Sequence, residues 1–105
     1  MLAELTALRD MVRALGKDLE RLASTADAEP RGRILSAADT VGFLHRRLSF
    51  AIASGSPDDW RTAACQTSGL RKGMADLVSF DPVRDRATVD RVDRAANLAL
   101  RLCLS

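Results

Sequence analysis

The chain has 105 residues, 47% of them apolar and 29% charged. That is the size of one domain with enough apolar surface for a core, which excludes a chain disordered by composition. Sixteen basic side chains against fourteen acidic ones leave a net charge of only +2, so no field of one sign argues for dedicated nucleic-acid binding. Two Cys and one His fall short of the four ligands of a structural zinc site, and nothing in the composition implies a cofactor.

The apolar set is mostly Leu (15) and Ala (17), while Val and Ile together number 8. Leu and Ala favour helix and β-branched residues favour strands, so an all-α fold is expected. Arg supplies 14 of the 16 basic residues, a bias common in GC-rich bacterial genomes. Met1-Leu2-Ala3-Glu4 lacks the basic start and apolar stretch of a signal peptide. The longest uncharged run, Leu48 to Pro57, is about half of the roughly twenty residues a membrane span needs. The expected compartment is therefore the cytoplasm, with Cys65 and Cys103 as free thiols.

Four helices are predicted, over about 2–25, 33–54, 57–79 and 82–104. In the first, Leu5, Leu8, Val12, Leu15, Leu19 and Leu22 alternate spacings of three and four, a heptad seam. That seam is either bundle core or a candidate dimer seam. Ser24 to Gly32 breaks the period, and Pro30 and Gly32 mark it as a loop. The second helix repeats the spacing through Ile34, Ala37, Val41, Leu44, Leu48 and Ala51, and Gly55 is placed to end it in a left-handed cap. Ser56-Pro57-Asp58-Asp59 opens the third helix, with Ser at the N-cap, Pro at the first helical position and acids at the positive end. Gly69 and Gly73 weaken that helix and place a break near Ser68-Gly69. Asp81-Pro82 opens the fourth by the same logic. Short second and third connections make neighbouring helices antiparallel, which predicts an up-down-up-down four-helix bundle, 1–105, as a single helical domain.

No catalytic set emerges. Asp58, Asp59 and Asp81 are explained as caps, and there is no phosphate loop, metalloprotease helix or nucleophile elbow. The second helix carries the informative feature. Phe43 and Phe50 are seven apart and, at about 100° per residue, lie opposite the Val41-Leu44-Leu48 stripe. Arg47 sits between them. Either this helix is central and the Phe pair is more core, or the pair anchors a partner protein or a second copy, with Arg47 pairing to an acid on that partner. The leading expectation is thus a non-catalytic helical regulator or adaptor that binds another protein, for example an anti-activator or a chaperone-like partner, and that forms a homodimer.

Two other readings compete. Phe43-Leu44-His45-Arg46-Arg47-Leu48-Ser49 resembles the site of histidine phosphotransfer domains, which are four-helix bundles of about this size. The resemblance implies a solvent-facing His45 as phosphoacceptor. It covers a few residues, and Leu48 and Ser49 stand where that family carries a basic residue and Gly. Arg31, Arg33, Arg46 and Arg47 also make a mildly basic stretch, which would contact phosphates in a weak nucleic-acid binder.

Overall fold

The computed structural model describes residues 1–105 and contains helices only: α1 (Leu2–Thr25), α2 (Ala28–Ser54), α3 (Pro57–Thr67), α4 (Leu70–Leu77) and α5 (Arg86–Leu104). Helices α3 and α4 follow one another along a single arm broken at Ser68-Gly69. The result is four arms packed together, with extents of 42 × 21 × 19 Å.

The heptad seam of α1 lies inside the chain's own core. Leu5, Leu8, Val12, Leu15 and Leu19 have no exposed surface, and Leu22 packs half-buried beside them. This corrects the dimer-seam alternative. The seam is covered by α2 and α5 and leaves no surface for a second copy. Opposite it lie Ile34, Ala37, Val41, Leu44, Leu48 and Ala51 of α2, with Leu70 and Met74 of α4 and Val92, Ala95, Ala99 and Leu102 of α5 closing the core.

Two helix starts differ from expectation. Helix α2 begins at Ala28 rather than 33, so Pro30 and Gly32 are helical and the loop before them is short. Pro30 is tolerated because the first four amides of a helix lack an internal acceptor, so its missing N–H costs no bond. Arg31 fastens the junction, donating from Nε to the carbonyl of Ala23 (3.0 Å) and from Nη2 to that of Ala26 (2.7 Å), which satisfies the end of α1. Helix α5 begins at Arg86 rather than Pro82. The Asp81 carboxylate accepts from the amides of Val83 and Arg84, while the Asp85 carboxylate folds back to accept from the Asp81 amide. Asp81-Pro82 therefore opens an isolated turn, and the continuous helix starts one turn later. The preceding arm ends at Leu77, short of residue 79, because Val78 is extended.

The α2–α3 corner matches its expected ingredients except one. Gly55 adopts a left-handed φ of 69° and Pro57 opens α3, but Ser56 makes no side-chain cap bond. Its amide instead donates to Ser54 Oγ. The Ala51 carbonyl gathers three donors there: the Gly55 amide, Ser54 Oγ and the half-buried Trp60 indole N–H at 2.8 Å.

Cys65 and Cys103 form a disulfide, with Cα atoms 4.6 Å apart, joining α3 to the last turn of α5. This corrects the expectation of free thiols. Packing α3 against α5 brings together two residues 38 apart in sequence, within the Cα separation a disulfide spans. No helix is long and apolar enough to cross a membrane.

Candidate functional site

Helix α2 has two faces. Ile34, Ala37, Val41, Leu44, Leu48 and Ala51 turn into the core. On the opposite side Leu35 (46% exposed), Phe43 (47%) and Phe50 (60%) face solvent. The expectation that Phe43 and Phe50 lie away from the core stripe is matched by this placement, and the alternative that they are further core residues is not. The reason is the order of packing: α1 and the α3–α4 arm pack on α2 while α5 packs on α1, α3 and α4, so no arm covers the outer side of α2.

Charged residues interleave with the aromatic rings. Asp39 lies one turn before Phe43, and Arg46 and Arg47 lie between the two rings. Arg47 is turned toward α3, where its Nε donates to Gln66 Oε1 at a long 3.4 Å. Arg46 is the residue free on the outer side. Its guanidinium lies over Gly42, 3.5 Å from where a Cβ would stand, and it has no acidic partner. Asp39 is exposed and equally unpaired. Leu35, Asp39 and Gly42 join the face only once the exposed side of the helix is seen; their signal in the sequence was the same spacing of three and four that marked the core.

His45 is half-buried at the α1–α2 seam. Burial lowers its pKa from the usual 6.5, and the positive charges of Arg13, Arg9 and Arg46 lower it further against the pull of Asp10. The neutral imidazole is thus favoured. The four arginines of the basic stretch do not converge. Arg31 caps α1, Arg33 pairs with Glu29, Arg47 reaches Gln66, and only Arg46 is unengaged.

Two buried acids escaped the sequence reading. Asp18 sits in the α1 seam and accepts from Arg21 and, across the bundle, from Arg91 of α5. Its position, three after Leu15 and four before Leu22, was the available sign. Asp85 is held by Arg84, whose guanidinium lowers its pKa despite burial. Both acids are structural ties. Beside Arg84 and Asp85 a groove of about 420 Å³ opens at the α1–α2 end of the bundle, lined also by Leu22, Pro30, Arg33 and Val78. Both arginines of its lining are already engaged, Arg84 with Asp85 and Arg33 with Glu29, which leaves Asp27 as the one acid there without a basic partner and no free acid–base couple. No three His, Cys, Asp or Glu side chains converge as metal ligands would. Comparison with protein-family models, with curated proteins and with solved structures returns no match.

Proposed function

We propose that this chain is a non-catalytic helical regulator or adaptor that works by docking another protein on the outward face of α2. The observation that carries the reading is the exposure of Phe43 and Phe50 on one line of that helix. Two large aromatic rings open to water on a rigid helix, with arginine between them, have the make-up of interface anchors. Burying them on a partner would remove apolar area that the chain's own core leaves uncovered.

The phosphotransfer and nucleic-acid readings have less support. His45 is half-buried between helices rather than solvent-facing, and the arginines of the basic stretch serve separate local bonds. The disulfide bears on the compartment. Such bonds persist in oxidising surroundings and are rare and transient in a reducing cytoplasm, so Cys65–Cys103 supports an adaptor that is exported or redox-responsive over one that is permanently cytoplasmic.

The test is the double variant Phe43→Ala/Phe50→Ala. Helicity should be unchanged and the unfolding free energy within about 0.5 kcal/mol of wild type, as for surface positions, while the partner recovered with the wild-type chain is lost. A variant that unfolds, or that still holds the partner, would show that the pair is not the anchor.

A further inference from the structure

We infer that the outward face of α2 is self-complementary and pairs antiparallel with α2 of a second copy of this chain. The inference rests on the reading of that face as a protein-docking surface and names its occupant. The carrying observation is the order of residues along the face: Leu35, Asp39, Phe43, Arg46 and Phe50 are exposed on the side away from the core, and Gly42 lies half-buried at their edge. Asp39 and Arg46 are both exposed, and neither has an ion-pair partner within the chain. They do not pair with each other across the seven residues, about 10 Å, that separate them along the helix.

Laying a second α2 antiparallel against the first, with the two-fold axis between Gly42 and Phe43, satisfies every position. Asp39 meets the partner's Arg46, and by symmetry Arg46 meets the partner's Asp39. Leu35 meets the partner's Phe50, apolar on apolar. Phe43 comes to rest on the partner's Gly42, where the absent side chain leaves room for a ring. Only Arg46 Nη1 occupies that space in the single chain, at 3.5 Å from a Cβ position, and Arg46 is the group drawn away to the partner's Asp39. A parallel pairing fails on the same residues, since it sets Asp39 beside Asp39 and Arg46 beside Arg46. Large against small, apolar against apolar and plus against minus coincide in one antiparallel register, which is what an isologous interface requires.

One helix pair is at the small end of specific interfaces, so a dissociation constant on the order of 10 μM is expected. The experiment is sedimentation velocity on the pure 105-residue chain from roughly 1 to 500 μM, a range that brackets that constant. Wild type should shift from monomer to dimer across it. Asp39→Arg and Arg46→Asp each place like charges across the axis twice and should weaken the dimer at least about tenfold. The two variants mixed should form a heterodimer, since each restores both pairs for the other, and Asp39→Arg/Arg46→Asp should dimerise like wild type. Gly42→Leu, which meets only the flexible Arg46 end in the single chain, should remain folded and lose the dimer by filling the seat of Phe43. A wild-type chain that stays monomeric at every concentration overturns the self-pairing, and so does a mixture that fails to recover. A different protein still captured through Phe43 and Phe50 would then show that the docking reading survives with another occupant. Loss of the dimer in the charge variants with no effect of Phe43→Ala/Phe50→Ala would overturn the aromatic anchors instead.

Discussion

His45 shows how one side chain's surroundings set a measurable property of the whole. Its pKa is lowered by burial and by Arg13, Arg9 and Arg46, so the unfolded chain takes up a proton at a higher pH than the folded one does. Folding stability therefore falls as pH drops through the ordinary value of 6.5 and levels off once the folded imidazole is also charged. Asp85 and Asp81 act in a lower window. The Arg84 guanidinium lowers Asp85, and the amides of Arg84 and Val83 lower Asp81. The stability these acids supply is present above their ordinary value of 3.8 and is lost as pH falls through their folded values. Urea midpoints measured across the acid range should show both declines, and His45→Gln should remove the first while leaving the second. At this scale the sequence was a partial guide. His45 stood out as the sole histidine, but its half burial follows from α1 lying alongside, which no neighbour in the chain announces.

At the scale of the element, patterns of three and four placed all four arms, and local chemistry placed most of their ends. Gly55 and Pro57 behave as their backbone preferences require. The errors lie where a side chain reaches across an end. Arg31 satisfies the last carbonyls of α1, which lets α2 start at Ala28 directly after a short link. Arg33, two residues on, makes only an exposed pair with Glu29. Arg31→Ala should thus cost about 1 kcal/mol, the net worth of a hydrogen-bonded cap, in a urea melt. Arg33→Ala should change little, as surface pairs do. Equal costs would show that the cap is not what fixes the α1–α2 junction. The same reasoning explains α5: Asp81-Pro82 has the composition of a helix start, but the Asp85 carboxylate turns back onto the Asp81 amide and seals a separate turn.

At the scale of the whole molecule, the disulfide ties the third arm to the fourth over 38 residues of chain. Cross-linking a loop of that length stabilises by about 4 kcal/mol when only the entropy of the unfolded chain is counted, and measured values cluster at about 2–4 kcal/mol. Reduction, or Cys65→Ser/Cys103→Ser, should lower the unfolding free energy within that range, and thiol titration of the unreduced chain should find no free cysteine. A reduced chain as stable as the oxidised one would show that packing of α3 on α5 alone holds the arm. The all-helical class, the four arms and the seam of α1 were legible because periodicity and propensity are carried by residues within a few positions of one another. The cysteine pairing was not, since it depends on a 4.6 Å approach between helices distant in sequence. Nor was the choice between the two apolar stripes of α2. Each stripe has the spacing of a buried face, and the one that became the core is the one that α1 and the α3–α4 arm cover.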